Sequence, residues 1–280
     1  MPEQPSQFRV VRRKNWGAWV VGFVTAGILL SMGSAVSRSG MIRAEIFFKY
    51  LFSLDVLIGA KNALLVGTLS LVLATCGGFF VALARLSGNP ILTAVSTGYV
   101  YIFRGTPMLI QILFWYNALP MMFPDVRITL PFTDIVLVEC MMIDIVTPFR
   151  AAVFGISLAE TSYMSEIIRG GIRSFDKGQY DAALALGLRP FQAMTRVVVP
   201  QVFRAIVPSI GNEYINLMKS TSLAMAIGYA EVLRVVTDIY YSSFEVVELL
   251  CVAGFWYLVL GAFATVLQYA AERIYPSRQA

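Results

Sequence analysis

The sequence predicts an all-α integral membrane protein with about six transmembrane helices, and three observations carry that expectation. Apolar residues make up 58% of the 280-residue chain, charged residues 14%, and mean hydropathy is +0.70. A soluble domain carries about 25% charge, so this chain lacks the polar groups to cover a water-facing surface. Charge-free runs at 15–37, 62–84, 105–124 and 249–271 each reach the roughly 20 residues that cross a bilayer as helix. Basic residues are unevenly spread between the intervening segments, as in membrane loops of opposite sides. The chain has no histidine, so the usual neutral-pH base and commonest metal ligand is missing. Neither an enzyme nor a metal site is expected. Cys76, Cys140 and Cys251 lie far apart in apolar stretches without C-x-x-C spacing and read as small hydrophobes.

A basic tail, 1–14, carries Arg9, Arg12, Arg13 and Lys14 ahead of the first span, 15–37. That run exceeds the h-region of a cleaved signal peptide, so it reads as a retained helix, with a weak cleavage site near Ala35 as the alternative. The second and third spans are 62–84 and 105–124. The stretch 124–147 holds Asp134, Glu139 and Asp144; it is too polar for a span and is expected as a short amphipathic element on the outer face. Two further spans are less clean. One, about 147–165, contains Arg150 and Glu160. The other, about 205–230, contains Pro208, Asn212, Glu213 and Lys219, and Pro208 is expected to break it. The last span is 249–271, followed by a tail, 273–280.

Six spans put both termini on one side. With the termini inside, the inner segments hold 14 basic residues and the outer ones 7, which predicts cytoplasmic termini. The longest inner segment, 166–204, is not an unstructured linker. Asp176 and Gln179 form a capping-box-like helix start. Gly187 fits the left-handed position after a helix, and Pro190 fits the first turn of the next. Ala182, Ala183 and Ala185 with Leu184 and Leu186 leave an apolar face. It either packs on this chain's own span ends or docks into a groove of another protein.

Asp181-Ala182-Ala183, Gly187, Val197, Val199 and Pro200 stand at the spacing of the EAA loop of ABC importer permeases, with aspartate for the usual glutamate. The chain further resembles the polar amino acid permeases of the histidine/glutamine/arginine/opine group. It does so through Arg104-Gly105-Thr106-Pro107 with Leu109 and Gln111, then Ser165-Glu166-Ile167, Arg169-Gly170-Gly171-Ile172, Lys177-Gly178 and Leu186-Gly187-Leu188. Asn212, Lys219 and Thr221-Ser222-Leu223 close the match. The resemblance implies a type I ABC importer permease domain over 57–272, with 15–37 as an extra N-terminal helix. It implies an ATPase-coupling loop in which Asp181, Ala182, Ala183, Gly187, Leu188 and Pro200 meet a cytoplasmic ABC ATPase dimer. The other implied partners are a second permease copy or sister permease, an extracytoplasmic solute-binding protein and the bilayer of a bacterial inner membrane, with no nucleic acid. No cofactor is expected on this chain; ATP and magnesium belong to the partner, since no G-x-x-x-x-G-K-[ST] loop is present.

Polar groups at membrane depth are costly and mark function by default. Val153, Ser157, Glu160 and Met164 share one helical face. Glu160 is a candidate contact for a substrate ammonium or guanidinium; the competing reading is an ion pair with Lys219 or Arg150. Gln111 is a candidate for a substrate carboxylate or for an interhelical hydrogen bond. Asn212 and Lys219 complete the candidate path. Arg104, with Gly105, Thr106 and Pro107, reads either as a gate or as a guanidinium reaching for headgroups. The rival function is a self-contained ion-coupled secondary transporter, which has no subunit to dock an EAA-type loop.

Overall fold

A computed structural model describes residues 16–38, 43–129 and 136–276. The basic tail 1–14, Asp134 and the last four residues of the tail 273–280 lie outside the described residues. The chain divides into two units, Met1–Glu45 and Ile46–Ala280. The first holds α1 (Trp16–Arg38), where the expected first span lies. Its described side chains, Trp19, Phe23 and Leu30 among them, are exposed, as a helix solvated by lipid tails allows.

The second unit opens within α2 (Ala44–Leu51) and continues through α3 (Leu54–Leu86), α4 (Pro90–Gly105) and α5 (Met108–Leu113). A π turn (Phe114–Ala118) joins α5 to α6 (Leu119–Met122). Two strands follow, β1 (Asp125–Thr129) and β2 (Val136–Met141), then α7 (Met142–Ile145) and α8 (Pro148–Arg173). α9 (Lys177–Ala185) and α10 (Pro190–Ala193) lead through a π turn (Met194–Val198) into α11 (Val199–Ser220). A 3-10 segment (Thr221–Ile227), α12 (Val232–Ser243) and α13 (Val246–Ile274) complete the fold. Among the described residues, α3 and α13 combine span length with a mean hydropathy of 2.1. α8 and α11 have the length but carry the polar residues noted in the sequence.

The seam between α3 and α8 organises this unit. A Cβ on Gly78 would sit 2.8 Å from the Ser165 nitrogen and 2.5 Å from the Met164 Cβ, so only glycine permits this approach. One apolar cluster joins α3, α11, α12 and α13 through Val56, Tyr214, Val232, Val236 and Leu249. A second joins α3, α5, α8 and α11 through Val66, Ile112, Ile156 and Leu217. The Tyr99 hydroxyl donates to the Leu158 carbonyl at 2.6 Å, and Trp256 Nε1 donates to the Leu51 carbonyl at 2.8 Å. These aromatic groups thus pack and hydrogen-bond inside the fold.

Three expectations need correction. The charge-free run 105–124 is not one helix: Thr106 and Pro107 separate α4 from α5, because proline has no N–H to continue the ladder. Pro208 does not break its span, since α11 runs through it. Proline forfeits one ladder bond, and Gln268 Nε2 of α13 donates to the Pro208 carbonyl at 3.4 Å. The described part of the stretch 124–147 forms an antiparallel strand pair, β1 with β2, and the short helix α7, with Arg127 opposite Glu139 in register. Opposite charges directly across a strand pair favour that register.

Candidate functional site

The loop singled out in the sequence folds as its local signals require. Asp176 caps α9, its Oδ1 accepting the Gly178 N–H at 2.9 Å. The other half of the expected capping box does not form: Gln179 Oε1 instead accepts from Gln201 Nε2 at 2.7 Å, tying α9 to α11. Gly187 has φ +87°. Its N–H donates to the Leu184 carbonyl at 2.9 Å, and the Leu188 N–H donates to the Ala183 carbonyl at 3.2 Å. This is the Schellman pattern, which places a left-handed residue after the helix. Pro190 opens α10, and Gln192 Oε1 accepts the Arg189 N–H at 3.1 Å.

Burial splits the loop's residues. Ala183 is buried and Leu188 half-buried, whereas Asp181, Ala182, Gly187 and Pro200 are exposed. Of that apolar face, Ala183 packs inside this chain, Leu184 is half-buried, and Ala182, Ala185 and Leu186 are exposed. Leu186 is 86% exposed and Phe191 78%. Two large apolar side chains flanking a rigid turn make a protrusion suited to a groove in another protein.

The loop is fastened to the helix seam. Glu166, past the apolar part of α8, takes Arg85 of α3 on Oε1 and Arg169 on Oε2; the Arg169 Nε–Oε2 distance is 3.0 Å. Burial alone would raise this carboxyl, but the hydrogen bonds and charges of Arg169 and Arg85 outweigh it and hold the group below the usual carboxylate range. Glu166 also borders a cleft of about 1110 Å³ between the end of α8 and α11, into which Arg196, Pro200 and Arg204 project.

The intramembrane candidates are dispersed. Glu160 is 4% exposed, on a face of α8 where Val153, Ser157 and Met164 are also buried. Its Oε2 is buried without a hydrogen-bond partner. Among the described residues no ion pair joins it to Lys219 or Arg150, so the ion-pair reading is not realised here. Lys219 is exposed in the last turn of α11, and Arg150 Nη1 donates to the Ile145 carbonyl at 3.0 Å. Asn212 Oδ1 accepts from Gln268 Nε2 at 3.3 Å.

Gln111 is committed to the turn between α4 and α5. Its Nε2 donates to the Phe103 and Thr106 carbonyls at 3.0 Å each and to Thr106 Oγ1 at 2.8 Å, leaving the buried Oε1 without a partner. Thr106 Oγ1 in turn donates to the Ile102 carbonyl at 2.9 Å. Thus Gly105, Thr106, Pro107 and Gln111 act as one stopper for the end of α4, whose last carbonyls have no helical partner. Arg104 lies over the Tyr163 ring at 4.8 Å, a cation–π contact. No hydrogen bond or ion pair among the described residues joins Glu160, Gln111, Asn212 and Lys219 to one another.

Sequence reasoning passed over Glu231, which it counted only as one outer acid. Fully buried, it caps α12 by accepting the Leu233 and Arg234 N–H groups at 3.0 and 2.8 Å, and it also accepts the Tyr257 hydroxyl of α13. The available signal was an acidic residue at a helix start, three residues after Gly228.

Comparison with known proteins fits this geometry. The family described as "binding-protein-dependent transport system inner membrane component" matches residues 74–274. The arginine transport system permease protein ArgU of Corynebacterium glutamicum is 34% identical over 271 residues, 96% of this chain and 84% of that protein. The glutamine transport system permease protein GlnP of Escherichia coli is 33% identical over 77% of this chain and 89% of its own length. In the crystal structure of an amino acid ABC transporter with histidines, one chain superposes with a TM-score of 0.66 at 28% identity, covering 82% of this chain and 96% of that one. A chain of the inward-facing MetNI methionine ABC transporter, at 16% identity and TM-score 0.57, shares the fold, covering 79% of this chain and 94% of its own.

Proposed function

This chain belongs to the family of binding-protein-dependent transport system inner membrane components, and from that membership we propose that it is the membrane-spanning subunit of an ATP-driven importer of polar amino acids. The observation that carries the proposal is the rigid 176–190 turn with Leu186 and Phe191 projecting from it. A lone transporter has no use for such a knob, and an ATPase subunit with a groove does.

In this reading the ATPase dimer binds the knob on the cytoplasmic face and supplies ATP and magnesium chemistry. Closure of the dimer pushes α9 and α10. Gln179–Gln201 passes the displacement to α11, and the short 174–176 connection from α9 back to α8 passes it to the α3–α8 seam, which Arg85 and Glu166 hold together. A second copy or a sister permease completes the path, and a solute-binding protein delivers substrate on the side of the hairpin and α12. Both termini lie in the cytoplasm of a bacterial cell. Glu160, unpartnered and buried, is the group that meets a substrate ammonium or guanidinium; a charged hydrogen bond at a dehydrated site is strong enough to discriminate.

Co-purification and proteoliposome uptake test this together. The expected result is a stable complex with the ATPase subunit and uptake that requires ATP inside and binding protein outside. Uptake by this chain alone, driven by an ion gradient, would establish a secondary transporter instead.

A further inference from the structure

At the hairpin end of α8 the structure holds a cavity of about 380 Å³. Leu73 of α3, Trp115 of the π turn, and Phe149 and Phe154 of α8 form its walls, and Met142 and Ile145 of α7 close one side. Trp115 and Phe154 stand edge to face at 5.2 Å. The one charged residue lining it is Arg150. This guanidinium is exposed, gives Nη1 to the Ile145 carbonyl, and makes no ion pair among the described residues. Asp144, in the same α7 wall, is exposed and does not pair with it.

Such a cavity does not suit a polar amino acid, because its apolar walls leave the substrate's charged groups without partners. Water does not suit it either, since the apolar walls offer it no hydrogen-bond partners. An acyl chain satisfies the walls. The tail by itself gains little over its place in the bilayer, because lipid tails are as apolar as these side chains. Selection among lipids therefore falls to the headgroup, and the unpaired cation at the rim complements a net negative one. We propose that this cavity is a site for one anionic phospholipid, its acyl chain between α7 and α8 and its headgroup against Arg150. α7, the part of the 124–147 stretch that lines the cavity, then has a role, as the wall that turns an exposed helix face into a lipid site.

The test uses the full chain in nanodiscs of equal phosphatidylglycerol and phosphatidylcholine, with lipid retention read by native mass spectrometry. The same lipids carrying a diazirine on the acyl chain report the site by photo-crosslinking. The expected result is one retained phosphatidylglycerol, preferred about fivefold over phosphatidylcholine, the effect of one basic residue near an anionic lipid surface. Adducts are expected at Trp115 and within 149–154. Arg150→Gln should remove the preference and Arg150→Lys keep it. Val146→Trp, which fills the cavity, should abolish the adducts; if that variant does not insert, the two exposed Arg150 variants still decide. Wild type without preference, Arg150→Gln with the wild-type preference, or adducts elsewhere would each overturn the proposal. So would disulfide cross-linking of Phe154→Cys between two copies, because the face would then be covered by a second chain.

Discussion

Glu166 of α8 and Arg85 of α3, 81 residues apart in sequence, are ion-paired at the end of the seam nearest the 176–190 loop. Glycines hold the helices close along the seam; at its end this carboxylate, shared with Arg169, does so. Glu166→Gln keeps the size and removes the charge. It is expected to cost roughly 1 kcal/mol, as for partly exposed ion pairs, or a few degrees in Tm. If the seam transmits motion, it should also lower transport per ATP hydrolysed. Because the folded carboxyl is held below its unfolded value of about 4.3, its contribution is complete above that value and is lost as pH falls through the folded one. The Tm gap between wild type and Glu166→Gln should therefore persist from about pH 8 to about pH 5 and close in stronger acid. A gap that widens below about pH 4 contradicts the ion-pair account.

Gly187→Val should strain the turn after α9 by about 1–2 kcal/mol, because a β-branched residue resists φ +87°. Membrane insertion should be normal, while uptake and substrate-stimulated ATP hydrolysis both fall. Wild-type uptake in this variant removes the turn from the coupling route.

Asp181→Lys reverses an exposed charge on α9 without touching the packed side. Recovery of the ATPase subunit in pull-downs should drop at moderate salt, while the Tm of the isolated chain stays within about 0.5 kcal/mol of wild type in stability terms. Undiminished recovery shows that Asp181 lies outside the interface.

Glu160→Gln should reduce uptake of substrates that offer an ammonium or guanidinium, with affinity falling about 10- to 150-fold for the loss of a contact of about 1.5–3 kcal/mol. Since Lys219 is exposed and no ion pair joins it to Glu160, adding Lys219→Met should not restore what the single variant loses. Restoration in the double variant would mean that the two charges meet during the cycle.

The spans at 62–84 and 249–271 were legible because apolar length is a property of the chain itself, and α3 and α13 contain them. The loop was legible for a similar reason: Asp176, Gly187 and Pro190 act on backbone groups two to five residues away. Where the partner comes from elsewhere in the fold, local signals failed. Pro208 reads as a helix breaker, yet α11 continues through it, with Gln268 of α13 donating to its carbonyl. The run 105–124 reads as one span, yet α4 ends at Thr106 with Gln111 folded back on its carbonyls. For Glu160 the spacing left a substrate contact and an ion pair both open, and the helix packing leaves Lys219 exposed and Glu160 buried without it. Hydropathy, caps and turn residues thus determined α3, α13 and the shape of the 176–190 turn. Which charges meet, as Arg85 and Glu166 do, was decided by the glycine-lined approach of α3 to α8, because side chains pair through space and burial, and neither is a function of spacing along the chain.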